Sequence, residues 1–284
     1  MRFSYACVNN KLPKPDKTMR KDTFLAMEQK ELFEFVAENF KNLLTILKWN
    51  VEHDIYLFRV SSSMVPFYSL QPEKYKKLWT YAPLVKICDE IKKMVIMYNM
   101  RLTQHGVLFI KLANDDLFEY NVRELTLYTM VYEMILPNLE FNDPLIVIHV
   151  GGIYNDRIET LKKWHINYLR LPNKVAKLIV LENDEQYSFD ELINFCLQKK
   201  IPMVFDIFHD TIRKGNYNYN LHLQTWGKRT PEFHYSEQDK NNRIGTHSLT
   251  VDSFPEKFLH INADCILETK DKEISVLKFK KLYK

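Results

Sequence analysis

Eight short β-type runs recur along the chain, RFSYACV, DIYLFRV, RLTQH, PLIVIHV, AKLIVLEN, IPMVFD, PEFHYS and ADCILET, and most are apolar nearly end to end rather than alternating. A strand that is apolar on both faces must be covered on both, which is the condition of a parallel sheet with helices packed over it. Segments of helical period lie between the runs. In EQKELFEFVAENFKNLLTILKWN, Leu32, Phe35, Val36, Phe40, Leu43, Leu44 and Leu47 return at helical spacing. YAPLVKICDEIKKMVIMYN, NVRELTLYTMVYEMIL, DRIETLKKWHINYLR and SFDELINFCLQKK follow the same rule. The pattern predicts an α/β fold, a single-domain (β/α)8 TIM barrel over residues 1–284, with an open doubly wound sheet as the alternative. The crossovers after PEFHYS and after ADCILET read as short or irregular, and no Pro/Gly/Ser-rich linker or repeat divides the chain.

The ends of these runs carry the chemistry. His105 ends RLTQH, His149 ends PLIVIH, Glu182 ends AKLIVLE, Asp206 ends IPMVFD with His209 just beyond, His234 closes PEFH, and Glu268 ends ADCILE. His247 follows in RIGTHS. In a parallel barrel the carboxyl ends of all strands meet on one face, so six consecutive strands aim imidazoles and carboxylates into one small volume. Crowding them there without a cation costs heavily in desolvation and like-charge repulsion. Nitrogen and oxygen donors without cysteine suit zinc or manganese and are compatible with iron or cobalt; eight candidate ligands imply two or three divalent ions. His53, His165, His222 and His260 fall away from that face and read as structural.

Composition sets outer limits. With 46% hydrophobic residues the chain can bury a large core, and no apolar run approaches the roughly 20 residues of a membrane span. The opening MRFSYACVNNKLPKPDK lacks the apolar region of a signal peptide, so the expectation is an intracellular protein, cytoplasmic or nucleoid-associated and not secreted. Cys7, Cys88, Cys196 and Cys265 show no C-x-x-C spacing, which excludes a thiolate zinc motif. A net charge of +4 does not by itself require a nucleic-acid partner.

With these residues identified, the chain resembles the UV-damage endonuclease family, relatives of endonuclease IV-type abasic-site nucleases. The likeness is carried by SYACVNN, LLTILKWNVEHDIYLFRVSSSMVPF, QHG, VIHVGGIY, VLENDE, FDIFH, FHYSEQD, RIGTHS and ILETKDKE, in order along nearly the whole chain. It implies a barrel holding up to three divalent ions, commonly manganese, with zinc or cobalt as alternatives, in a groove for damaged double-stranded DNA. Carried over by position, the ligands are His105, His149, Glu182, Asp206, His209, His234, His247 and Glu268, and Tyr5 and Asn9 lie near the lesion. Two departures stand out. Glu232 replaces a lysine that in many members is carboxylated and joins the metal site, so a native carboxylate can supply that charge. Gly106, Val107, Leu108 and Phe109 replace Pro-Gly-Gln-Tyr, leaving Leu108 and Phe109 as an apolar wedge able to unstack bases.

Phosphodiester hydrolysis then rests on Glu182, Glu268 and His234 at the ions, the two glutamates bridging them. Basic loops on the ligand face supply phosphate contacts: Lys14, Lys17 and Arg20 in KLPKPDKTMRK, Arg213, Lys214 and Tyr217 in RKGNYNYN, and Lys240 and Arg243 in QDKNNR. Arg59, ending the second run, orients a ligand or phosphate or forms an internal salt bridge. The expected activity is incision of the strand 5′ to UV photoproducts, leaving 3′-hydroxyl and 5′-phosphate ends, by a monomer that needs no small-molecule cofactor. A barrel sugar isomerase and a non-catalytic lesion-binding protein are the competing readings.

Overall fold

Side chains alternate across a strand, so every second residue of a barrel strand points inward. In the computed structural model, which describes residues 1–12 and 19–283, that parity organises the whole molecule. The strands are β1 (Arg2–Tyr5), β2 (Leu57–Val60), β3 (Arg101–His105), β4 (Leu145–Ile148), β5 (Ile179–Glu182), β6 (Met203–Asp206), β7 (Glu232–Tyr235) and β8 (Asp264–Leu267). They form one parallel sheet in the order β1-β8-β7-β6-β5-β4-β3-β2. The β1–β2 seam is drawn together by a parallel bridge between Ala6 and Arg59 and by the Cys7 N–H donating to the Arg59 carbonyl (2.8 Å), so the barrel is nearly closed.

Helices wrap the outside. α1 (Lys21–Ala26) and α2 (Gln29–Glu52) precede β2; α3 (Ala82–Met97), α4 (Phe118–Ile135), α5 (Arg157–Leu169) with the single turn α6 (Asn173–Ala176), and α7 (Phe189–Lys199) are the next crossovers. α8 (Ile207–Arg213), α9 (Tyr219–Trp226), α10 (Glu256–Leu259) and α11 (Glu273–Leu282) complete the chain. Local chemistry places their ends. Glu28 and Glu31 form a reciprocal capping box on α2, Ser188 and Glu191 do the same for α7, and Pro83 sits in the first turn of α3. The apolar stripe of α2, including Leu32, Val36, Phe40, Leu43 and Leu47, is buried in the main core between sheet and helices. The crossover after β7 is the four-residue α10, short as expected, whereas the one after β8 is the regular ten-residue α11. α11 seats Phe279 on Phe3 of β1 (ring centroids 5.2 Å), a long-range contact that its lysine-rich text KFKKLYK does not advertise.

Inside the barrel, Leu145, Val147, Val180, Val204 and Trp226 make a small apolar layer. An ion-pair clamp lies at the amino ends of the strands: Asp264 accepts from Arg101 (2.7 Å) and Arg2 (2.6 Å), and Asp143 from Arg101 (3.1 Å) and Arg229 (2.6 Å). The carboxyl ends are thereby left as the free, polar mouth.

His222 is fully buried against this floor, with its Nε2 2.8 Å from the Met203 carbonyl and its Nδ1 3.0 Å from the Tyr217 hydroxyl. Burial pushes its pKa from 6.5 down to about 4, so the native ring stays neutral where the unfolded one takes a proton. Stability is therefore lost as pH falls below about 6.5, by about 2 kcal/mol between pH 7 and pH 5. Urea unfolding at both pH values should show that loss shrinking by this amount in His222→Gln, whose amide can make the same two hydrogen bonds without titrating; an unchanged pH difference contradicts the assignment.

Candidate metal centre and DNA-facing groove

The interior parity that places Val180 and Val204 in the apolar layer puts Glu182 and Asp206 two residues further along, at the mouth. Thr103 leads likewise to His105, Val147 to His149, Glu232 to His234, Ile266 to Glu268 and Leu57 to Arg59. Asp206 also explains His209. Its Oδ1 accepts the His209 N–H (2.7 Å) as the N-cap of α8, and this first turn returns the imidazole over the carboxylate.

Donor atoms from His105, Glu182 and His234, from Glu182, Asp206 and His209, and from Asp206, His234 and Glu268 form three groups, each within 4.8 Å. His149 and His247 stand on the rim, with His149 Nε2 3.6 Å from Glu182 Oε2 and His247 Nδ1 3.8 Å from Glu268 Oε2. All eight predicted ligands therefore converge. Asp206 Oδ2 is buried and accepts no hydrogen bond, an uncompensated lone pair that a cation satisfies, so the donor set fits divalent ions.

An oxygen lies beside the outer nitrogen of each imidazole, a hydrogen bond for His105 and His247 and an ion-pair distance for His149 and His209. His105 Nδ1 lies 2.8 Å from the Gly106 carbonyl, His247 Nδ1 3.0 Å from the Glu268 carbonyl, His149 Nδ1 3.2 Å from Asp184 Oδ2, and His209 Nδ1 3.2 Å from Glu185 Oε1. His105, His149 and His209 thus turn Nε2 inward, whereas His247 sets Nδ1 toward Glu268. His234 is reversed: Nδ1 meets Glu182 and Glu268, and Nε2 meets Glu232 Oε1 (3.2 Å) and the Arg59 guanidinium. Glu232 Oε2, like Asp206 Oδ2, is buried with no hydrogen-bond partner. The residue is fully buried one step below the mouth, where the shorter reach of glutamate leaves it bracing His234.

Charge balance follows from these contacts. Burial disfavours the protonated imidazole, yet Asp206 and Glu185 hold His209 up at about 10. Burial and Arg59 both act against His234, and Glu182 and Glu268 still hold it at about 9. Burial acts to raise Glu182 and Glu268, but the histidines, and for Glu268 first Arg59, keep both ionised. At Asp206 burial wins and the carboxyl is raised. Arg59, itself 3% exposed, donates to Glu268 and lies 3.9 Å from Glu232. Arg59 thus forms an internal salt bridge.

A cleft of about 780 Å³ opens over this cluster, lined by His105, His149, His209 and His247 with Glu182 and Glu268. Beside it Leu108 is 78% and Phe109 70% exposed. Gly106 makes their loop possible, since a Cβ there would fall 2.8 Å from Ile110 Cδ1 and 2.9 Å from Ile148 Cγ2. Arg20, Lys214, Lys240 and Arg243 are exposed, and Arg213 is paired with Glu191 (3.3 Å). Lys14 and Lys17 lie outside the described residues.

Three residues expected at the DNA, Tyr5, Asn9 and Tyr217, are engaged in internal contacts. Tyr5 is 0% and Asn9 1% exposed; the Tyr5 hydroxyl donates to Asn50 Oδ1 (2.5 Å) and accepts from Asn9 Nδ2 (2.9 Å), so its polar tip is already engaged within the barrel wall. Tyr217 is stacked on Phe205 (4.1 Å) beneath the helices, because Phe189, Phe205 and Phe258 offer its ring an apolar seat. Sequence reasoning passed over Asn183, Asp184 and Glu185. Asn183 exchanges two 2.9 Å hydrogen bonds with the Asp206 backbone, extending the β5–β6 ladder with its side chain. The signal was present in VLENDE, where three more polar residues follow Glu182.

A parallel barrel whose mouth gathers imidazoles and carboxylates that could hold metal ions, beside an apolar cleft, defines a class of barrel enzymes compatible with metal-dependent chemistry. The UV-endonuclease UvdE family model matches residues 1–284, and the chain belongs to that family of DNA repair endonucleases acting on UV damage. A putative UV-damage endonuclease of Acanthamoeba polyphaga mimivirus is 33% identical over 300 residues, covering 98% of this chain and 90% of that protein. The UV DNA damage endonuclease of Clostridium perfringens is 27% identical over 299 residues, 98% of this chain and 69% of that one. The crystal structure of SacUVDE superposes with a TM-score of 0.85 at 28% identity over 99% of this chain and 97% of that one. Among the described residues no helix is long and apolar enough to cross a membrane.

Asp184 is the cleanest test of the outer acceptors. Asp184→Asn should weaken manganese binding by about 10- to 100-fold in calorimetric titration while leaving the thermal midpoint of the metal-stripped protein in place. Unaltered affinity would deny it that role.

Proposed function

We propose that this chain is a metal-dependent endonuclease that nicks damaged double-stranded DNA immediately 5′ to cyclobutane pyrimidine dimers and 6-4 photoproducts, leaving 3′-hydroxyl and 5′-phosphate ends, with abasic sites as secondary substrates. It works as an intracellular monomer with two or three divalent ions, manganese first among them, and no small-molecule cofactor. The observation that carries this reading is the convergence of eight ligand side chains in a cleft bordered by the exposed Leu108–Phe109 pair.

His105, Glu182, His234, Asp206, His209 and Glu268 hold the ions, with His149 and His247 completing the rim. Divalent cations there acidify water and offset the charge that develops on the phosphoryl oxygens. Glu182 and Glu268, central and ionised, fix the spacing of the site. The outer nitrogen of each imidazole lies against a fixed oxygen, so the donors need little reorganisation when substrate arrives. Leu108 and Phe109 enter the helix at the lesion, where damage has already weakened stacking, and a base step opens over the cleft. Arg20, Lys240 and Arg243 hold the flanking phosphates.

An end-labelled duplex with one cyclobutane dimer, incubated with metal-stripped protein with and without manganese, tests the reaction. Cutting 5′ to the dimer should depend on the metal and fall at least about 100-fold in Glu182→Ala. Binding without cutting under every divalent metal would instead favour a lesion-binding protein.

The wedge is tested separately. Because both residues are exposed, Leu108→Ser with Phe109→Ser should leave the fold intact and weaken binding to the dimer duplex about tenfold or more. The loss should be accompanied by reduced 2-aminopurine fluorescence next to the lesion; full binding and full fluorescence would remove the wedge role.

A further inference from the structure

Beside the metal cleft, and sharing Arg59, His247 and Glu268 with it, runs a second groove of about 490 Å³ whose other wall is Thr269, Lys270 and Lys272. Its chemistry is that of an anion site. Arg59, Lys270 and Lys272 face one carboxylate, Glu268, which is already committed to Arg59 and the His234 side. Two buried polar atoms on its lining have no partner: Thr269 Oγ1, in a residue 0% exposed, and Arg59 Nε, in a residue 3% exposed. Unpaired buried groups of this kind call for a ligand that can bond them. Lys270 Nζ is anchored to Asp239 Oδ2 (2.7 Å), whereas Lys272 forms no ion pair among the described residues. Lys272 also precedes α11, a ten-residue helix whose first turn adds partial positive charge at the same end. The acidic residue in that turn, Glu273, is 0% exposed and accepts the Asn10 N–H through Oε2 at 2.9 Å.

We infer that this groove binds a DNA backbone phosphodiester next to the scissile one, with Lys272 as the ionic contact and Thr269 Oγ1 and Arg59 Nε as hydrogen-bonding partners. The inference rests on the nuclease reading, since the shared wall places the groove beside the ions and therefore along the same strand. The anion is a monoester-like or diester phosphate by chemistry alone. Continuity with the cleft selects the diester of the bound strand over free phosphate. Such a contact fixes the register of the backbone over the metal ions without reading bases. It also lets the strand reach the site where the lesion has already been drawn aside.

The test uses the full chain with manganese and dimer duplexes carrying one uncharged methylphosphonate at successive positions flanking the cut. Lys272→Ala should raise KM about tenfold and reduce the slope of log KM against log salt by about one, with Lys272→Arg restoring both. Thr269→Val should raise KM in the same direction. One methylphosphonate position should raise KM for the wild type and cause no further rise in Lys272→Ala. Wild-type KM and salt slope in Lys272→Ala, or losses that multiply at every position, would overturn the phosphate site alone. Competition by orthophosphate that vanishes in Lys272→Ala, with no position-specific methylphosphonate effect, would assign the groove to free phosphate and overturn the diester. A wild-type protein that leaves the unmodified dimer duplex uncut would overturn the nuclease reading and this inference together.

Discussion

A guanidinium buried at the mouth of the barrel is the interaction on which the rest of the site depends. Arg59 is almost wholly inaccessible, yet its charge is held by Glu268 and lies 3.9 Å from Glu232, with His234 in contact. Buried charges survive only when paired and hydrogen-bonded, and a carboxylate cluster survives only with cations beside it. Arg59 supplies one permanent positive charge that no change of pH removes. The remainder must come from protonated histidines or divalent ions. A site so constructed is poised to exchange protons for metal, and β2, which offers no ligand of its own, earns its position at the seam through this single residue.

Around that charge the molecule separates stiffness from adaptability. The floor is clamped by Asp264 and Asp143 with three arginines, and the interior above it is packed with apolar side chains. The ligands stand on strand ends or within one helical turn of them, and Gly106, Asp184, Glu185, Glu232 and the Glu268 carbonyl set their rings. The groups proposed to face substrate occupy the loops: Leu108 and Phe109 after β3, Lys240 and Arg243 after β7, Lys272 after β8. Geometry needed to a fraction of an ångström thus rests on the sheet, and contacts that must adapt to a bent helix rest on exposed segments.

The convergence of the eight candidate ligands was legible because it obeys two rules that survive any detail of packing, parallel strands and period two. Tyr5 and Tyr217 show where such rules end. Both stand close to the functional face in sequence, and both contain a polar tip that looks available. Tyr5 instead finds Asn50 from α2, 45 residues away, and Tyr217 finds a ring of phenylalanines with His222 at its hydroxyl. Burying a large aromatic body is worth more than exposing it, so an aromatic residue near an apolar seat takes the seat. Similarly, the lysines of KFKKLYK hide the helix α11, because Val276 and Phe279 pack inward while the lysines ride its outer face.

By itself the sequence determined the strand and helix alternation, the barrel, and the eight residues that meet at its mouth, since these follow from local periodicity and from the common direction of parallel strands. Only the tertiary structure decided which nitrogen each imidazole presents, that Glu232 braces His234 from below, that Arg59 is a buried counter-charge, and that Lys272 and Thr269 border a groove of their own. Those outcomes depend on distances between residues up to 209 positions apart, such as Arg59 and Glu268, and on which groups lose their water. Neither quantity is written in any local stretch of the chain; both arise when the barrel closes.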